Sequence, residues 1–243
     1  MNENRWFPFS TRRKAASRII CLPEAGGRAA TFREWQNLLP SQIEMIPVEL
    51  PGHGTRYRET PLTRISNAVS AIADELDLDQ TPVSLFGHSM GALLAFELAW
   101  KLHESKKNIA ALFISGYPAP HLPWSKPLIS HYGQAEFGQA LVDDFGANAS
   151  LLSDSYILAL AYPTLRADLE MLETYIFEPR GLFTFPISVF GGDQDQEASK
   201  LELQAWQEHT SGRFLLRMLR GNHNFIHDSR ASLIIAIKND LGF

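Results

Sequence analysis

The chain has 243 residues, enough for one large domain or two small ones at about 150 residues each, and its 45% hydrophobic and 20% charged content is that of an ordinary globular protein. That balance excludes disordered, collagen-like and disulfide-scaffold classes, and one cysteine, Cys21, neither closes an intramolecular disulfide nor builds a thiolate metal cluster. A net charge of −5 argues against general nucleic-acid binding, although residues 1–64 carry 10 Lys/Arg against 6 Asp/Glu, a local basic excess whose simplest reading is a solvated surface.

No apolar run approaches the roughly 18 residues needed to cross a bilayer; the best candidates are broken by Glu97 and Lys101 or by Lys238. Arg12, Arg13 and Lys14 precede a short apolar stretch, but Arg18, Pro23 and Glu24 interrupt it, so an unprocessed cytoplasmic chain is expected. No repeat, low-complexity tract or flexible linker marks a boundary, which predicts one domain over residues 1–243.

Strand and helix signals alternate along the chain. Residues 17–23 form a short β-branched run stopped by a proline, and 43–54 carry a second strand ending in a Pro-Gly turn. Over 66–76, Ala68, Val69, Ile72, Ala73 and Leu76 recur at helical spacing, with Ser66 as the expected N-cap. The apolar run 83–87 passes through a tight turn into 91–102, a strong helix former without Pro or Gly after Gly91. Residues 111–116, 185–192 and 213–219 supply further buried strands, and 231–241 closes as a helix. This alternation predicts an α/β fold, a mostly parallel central sheet with helices on both faces. The exception is 121–184, far longer than one crossover, in which 135–145 and 165–177 look helical and Pro118, Pro120, Pro123 and Pro127 stiffen the entrance. It is expected to be a helical insertion over one edge of the sheet. Ligands of α/β sheets bind beyond the strand carboxyl ends, so such an insertion is placed to act as a lid.

Gly87-His88-Ser89-Met90-Gly91 fits the G-x-S-x-G nucleophile elbow, and its place between an apolar run and a helix separates it from a chance turn serine. Flanking glycines remove clashes in a strained strand-to-helix turn, which lifts the serine Oγ above the sheet. The serine then needs a base and an orienting acid, in the order Ser, Asp or Glu, His. After the strand at 185–190 the chain turns through Gly191 and Gly192 and offers Asp193 and Asp195; after 213–219 it turns through Gly221 and offers His223. Asp195 is preferred, although position hardly separates two residues so close together, and the other is a solvated turn carboxylate. His223 is preferred to His227, whose surroundings read as the cap of the last helix. His88 points away if Ser89 points up and reads as a packing or turn hydrogen bond; His53, His103, His121, His131 and His209 read as surface or structural. Of the two oxyanion donors, one is the backbone N–H of Met90 at the helix N-terminus. The other comes from the loop 23–27, with Ala25 chosen and Glu24 as the alternative.

Eight blocks in order, CLPEAGG, FREW, ELPGHGTR, FGHSMGALLAFELAWKL, FISGYPAP, LRADLEMLETY, GGDQDQEAS and GNHNF, resemble the external type II thioesterases of nonribosomal peptide and polyketide synthesis, members of the α/β-hydrolase fold. SGYPAPHL and DQEAS resemble the siderophore-type enzymes in particular. The resemblance places the nucleophile on Ser89, the acid on Asp195 and the histidine on His223. It departs at Glu24, where an aromatic is usual, and at His53, where arginine is usual; both bear on acyl preference and local charge and leave the triad alone. It implies a serine thioesterase that hydrolyses acyl thioesters on the phosphopantetheine arm of carrier proteins, removing aberrant or stalled groups. No cofactor and no metal are implied; the partners are acyl or peptidyl carrier protein domains, with no nucleic acid and no membrane, and a monomer is expected. The basic early segment, including Arg56 and Arg58, is expected to meet the phosphate of the arm or an acidic carrier face. The same triad also suits a small-molecule carboxylesterase or lipase, and a non-catalytic binding module on this fold is the third reading.

Overall fold

The computed structural model describes residues 4–10, 14–149 and 154–243. Strands β1 (Ser17–Leu22), β2 (Ile43–Pro47), β3 (Val83–His88), β4 (Ile109–Ser115), β5 (Ile187–Gly192) and β6 (Phe214–Leu219) form one sheet in the order β2-β1-β3-β4-β5-β6. Every pairing in it is parallel. The helices are α1 (Ile65–Glu75), α2 (Met90–Glu104), α3 (Gln134–Phe145), α4 (Ser155–Glu173), α5 (Lys200–Gln204), α6 (Phe225–Asp228) and α7 (Arg230–Asp240).

Side-chain alternation along the strands divides the core between two faces. Ile20, Leu22, Leu85, Leu112, Ile114, Ile187 and Val189 point to one face and pack with buried residues of α1, α2, α3 and α4. Ile19, Cys21, Phe86, Phe113 and Phe190 point to the other, against Leu233, Ile234 and Ile237 of α7 and against Phe32 and Trp35. Cys21 is fully enclosed there, and burial pushes its thiol well above the ordinary range, which removes it from nucleophilic chemistry. The sheet is apolar on both faces because helices cover both, as the near-continuous apolar strands required.

The order places β2 on one side of β1 and β3 on the other, so successive connections leave β1 in opposite directions and a crevice opens at its carboxyl end. Leu22, the last residue of β1, stands opposite Gly87. The elbow and the 23–27 loop therefore face each other across this switch point.

Two local expectations are corrected. Helix α1 begins at Ile65, with Arg64 at the N-cap and no side-chain cap bond, so Ser66 sits inside the first turn. The start is drawn forward by the burial of Ile65 beside Ala68, Val69 and Ile72. Helix α4 begins ten residues before position 165 and runs through Pro163. A mid-helix proline costs about 3 kcal/mol; against it stand the cap by Asp154, whose side chain accepts from the N–H groups of Tyr156 and Ile157, and the burial of Leu158, Leu169, Met171 and Leu172. The segment between β4 and β5 thus carries α3 and α4, and α4 reaches back to the loops that follow β1 and β2: the Thr164 hydroxyl donates to the Gly52 carbonyl at 2.9 Å, and Asp168 meets Gly26. Residues 150–153 of the expected insertion, and Arg12 and Arg13, lie outside the described residues.

Phe86 meets Phe32 and Trp35 edge-on at 5.9 and 5.2 Å and is fully buried. Replacing Phe86 with Ala is expected to lower unfolding free energy by about 3–5 kcal/mol, read from urea denaturation midpoints at unchanged m-value.

Candidate active site

Ser89 sits between β3 and α2 with φ 51° and ψ −123°, one of two non-glycine residues with positive φ among the described residues. Such strain persists only where its surroundings over-determine it. The Ser89 N–H donates to the Ser115 carbonyl at 2.8 Å, tying the turn to the end of β4, and the Ala92 N–H closes on the Ser89 carbonyl at 2.8 Å. Gly91 explains the last residue of the motif: a Cβ there would lie 2.1 Å from the Leu22 carbonyl oxygen, so only a hydrogen lets α2 start against the end of β1.

Asp195 and His223 come together from the ends of β5 and β6. His223 Nδ1 lies 3.0 Å from Asp195 Oδ2 and 3.2 Å from Oδ1. The Asp195 side chain is fully buried and the His223 ring is 25% exposed, so the carboxylate is sealed behind a ring that meets solvent. Asp195 Oδ1 also accepts the Glu197 N–H at 2.8 Å, which fixes its plane. Asp193 turns elsewhere, accepting the Gly221 N–H at 2.9 Å. No hydrogen bond joins Ser89 to His223 in this structure, a contact that commonly tightens only in the substrate complex. His227 is exposed on α6, and Ser229 does not cap α7 but donates to the Arg220 carbonyl at 2.7 Å.

His88 is buried, with Nδ1 3.0 Å from the Ser115 hydroxyl and its ring centroid 5.0 Å from that of His223. Burial first, and then the charges of His223 and His227, hold its pKa well below the ordinary range. It is a neutral ring behind His223, in keeping with the packing and hydrogen-bond role read from the sequence.

The 23–27 loop is a tight turn closed by the Gly27 N–H on the Glu24 carbonyl at 2.8 Å, with Gly26 at φ +69°. The backbone N–H groups of Ala25 and Met90 have no acceptor among the described residues. Glu24 folds its carboxyl back over Gly27.

Asp168 of α4 carried no assigned role, and the structure makes it part of this region. It is fully buried, and its Oδ2 accepts the Gly26 N–H at 2.7 Å and faces His53 Nε2 at 2.9 Å. The available signal was one acid among the buried positions of an amphipathic helix, Leu165, Leu169 and Leu172. Arg56 corrects the docking expectation: it is 7% exposed, stacks over Trp6 at 4.1 Å, donates to both Glu59 oxygens and bonds the Glu49 carbonyl. It is consumed within the fold, whereas Arg58 is exposed.

A strained serine after a central parallel strand, with an Asp–His pair from the ends of the last two strands, defines a serine-hydrolase arrangement on an α/β sheet. The sequence model of the thioesterase domain family matches residues 17–241, and the chain belongs to that family, hydrolases acting on thioester bonds. It is 36% identical over 234 residues to the gramicidin S biosynthesis protein GrsT of Aneurinibacillus migulanus, covering 95% of this chain and 91% of the other. The RedJ thioesterase from the prodiginine pathway of Streptomyces coelicolor superposes with a TM-score of 0.84 at 34% identity, over 97% of this chain and 92% of that one. YbtT, a type II thioesterase from the yersiniabactin pathway, superposes at 0.82 with 30% identity, over 96% and 95%.

His88 is expected to be neutral at about pH 6.5, where an ordinary imidazole is half protonated, read from nitrogen shifts of ring-labelled histidines; a half-protonated His88 at that pH would contradict its burial.

Proposed function

We propose that this thioesterase removes aberrant or stalled acyl groups from the phosphopantetheine arms of acyl or peptidyl carrier protein domains of a nonribosomal peptide or polyketide synthase. It acts in the cytoplasm as a monomer and uses only side chains and water. The carrying observation is the pairing of buried Asp195 with the part-exposed His223 ring near the Ser89 elbow. Its likeness to YbtT, described as a type II thioesterase of such a pathway, supports the substrate.

In this reading His223 takes the Ser89 proton, and Oγ attacks the thioester carbonyl. The resulting oxyanion is held by the N–H groups of Met90 and Ala25, both without another acceptor among the described residues. Collapse breaks the C–S bond and returns the proton from His223 to the departing sulfur. A thiol of pKa about 8.5 is a far better leaving group than an alkoxide, so this half-reaction asks little of the acid. Water, deprotonated by His223, then attacks the acyl-enzyme and releases the carboxylic acid and free Ser89. Asp195 stays ionised, fixes the His223 tautomer and stabilises the imidazolium. The segment carrying α3 and α4 acts as the lid over this crevice, within one domain.

Replacing Ser89 with Ala is expected to lower kcat by at least about a thousandfold and to abolish both the acyl-enzyme and labelling by a serine-directed fluorophosphonate, seen by intact-protein mass spectrometry. Acyl-carrier protein should give the highest kcat/KM, acyl-pantetheine less, and a simple oxygen ester least; preference for the ester would move the assignment to a carboxylesterase.

A further inference from the structure

The buried pair formed by His53 and Asp168 links α4 to the 23–27 loop through one atom. Asp168 Oδ2 faces the Gly26 N–H at 2.7 Å and His53 Nε2 at 2.9 Å, while His53 Nδ1 faces the Pro51 carbonyl at 3.0 Å. Both ring nitrogens therefore point at acceptors. A neutral imidazole has one N–H and would set a lone pair against one of them, so only the imidazolium satisfies both. A fully buried carboxylate also needs a cation, and Asp168 Oδ1 has no hydrogen-bond partner among the described residues. Arg166, two residues from Asp168, donates to the Ser130 carbonyl, and Arg56, three residues from His53, is turned to Glu59 and the Glu49 carbonyl.

The Gly26 bond bears on catalysis through the turn. In a four-residue turn with φ > 0 at the third residue, the central peptide, here Ala25–Gly26, can flip by rotation of the two flanking dihedrals. A flip would replace the Gly26 N–H by the Ala25 carbonyl, aimed at a buried carboxylate. Asp168 forbids that state and so fixes the backbone that carries the Ala25 N–H.

We infer that Asp168 and protonated His53 are a positioning pair for the oxyanion loop, and that this pair makes turnover depend on the seating of α4 and on the His53 proton. The inference rests on the reading of Ser89 as nucleophile and of Ala25 as an oxyanion donor. The charges facing the ring are Asp168 from α4 and Glu49 from its own segment. Burial pushes the His53 pKa down, but the hydrogen bond and charge of Asp168, the Pro51 carbonyl and the charge of Glu49 outweigh it and raise the value above the ordinary one. A raised histidine stabilises its contact fully below the unfolded-state pKa and loses that contribution as pH rises through the folded value. The pair therefore loosens on the alkaline side.

The test uses the full chain with an acyl-pantetheine substrate, following kcat and KM over about pH 6 to 9.5 together with Ser89 labelling by a fluorophosphonate. Wild type is expected to lose kcat on an alkaline limb. Asp168→Asn keeps an acceptor for Gly26 but not the charge, and should lower kcat by about tenfold to a hundredfold with KM nearly unchanged. His53→Arg keeps a cation at every pH and should remove the alkaline limb while retaining kcat near neutrality within about threefold. If Asp168→Asn does not fold, the His53→Arg profile decides. Unchanged kcat in folded Asp168→Asn, an effect confined to KM, or an unaltered alkaline limb in His53→Arg would overturn the positioning pair. Absence of Ser89 labelling in wild type would instead overturn the nucleophile reading beneath it.

Discussion

The contact on which the rest of the site depends is the approach of the end of β1 to the first turn of α2. The Leu22 carbonyl oxygen lies where a side chain at position 91 would begin. Helix α2 can start there only because Gly91 has no Cβ, and it must start there for the chain to leave β3 through a single strained residue. Parallel pairing of β1 with β3 brings Leu22 opposite Gly87, so the loop after β1 and the N-terminus of α2 rim one crevice. Two N–H groups from distant parts of the sequence, Ala25 and Met90, arrive there without any element devoted to holding them together.

The loop after β1 is short and would have little rigidity alone. Its stiffness comes from outside, through Asp168 on α4, whose first turn is capped by Asp154 and whose second half is buried in the core. Thr164, one turn earlier, bonds Gly52, so the same helix face holds the loops after β1 and β2 together. A buried ion pair of this kind adds little net stability, because desolvation offsets most of the attraction, but removing one partner is costly. That asymmetry suits positioning: the pair has one good geometry and no cheap alternative.

The readable features were those that recur or that demand a particular residue. Strands β1, β3, β4 and β5 were visible as apolar runs because both faces of the sheet are covered there, β6 as an apolar run that is only half-buried at the sheet edge, and the elbow because a strained serine needs glycine beside it. His223 was visible from its place after a strand and a glycine. Less was readable where the cause is tertiary. Ser66 fitted a local capping rule, yet with Ile65 buried the N-cap falls two residues earlier, on Arg64. The proline at 163 hid the first half of α4, since its compensation lies in an N-cap and a buried face that single-residue rules do not weigh together. Asp168 looked like any acid of an amphipathic helix because its partners, Gly26 and His53, lie 142 and 115 residues away. Arg56 looked free because its guanidinium's contacts with Trp6 and the Glu49 carbonyl exist only after folding.

The distribution of charge matches what the proposed acyl transfer to Ser89 needs. In the proposed mechanism the buried carboxylate of Asp195, behind His223, would stabilise the imidazolium that forms as the oxyanion develops. His88, whose ring lies tilted 5.0 Å from that of His223, would oppose that imidazolium as a second cation; burial holds its pKa well below the ordinary range. Asp168 is a second buried carboxylate, directly bonded to the loop meant to hold the oxyanion. Unpaired, it would raise the energy of a negative charge on that loop, because interactions between charges are strong where water is excluded. The His53 imidazolium cancels it while leaving the Gly26 bond intact. In the proposed mechanism cationic His53 and neutral His88 thus serve the same transition state, one by silencing an anion and the other by declining a proton.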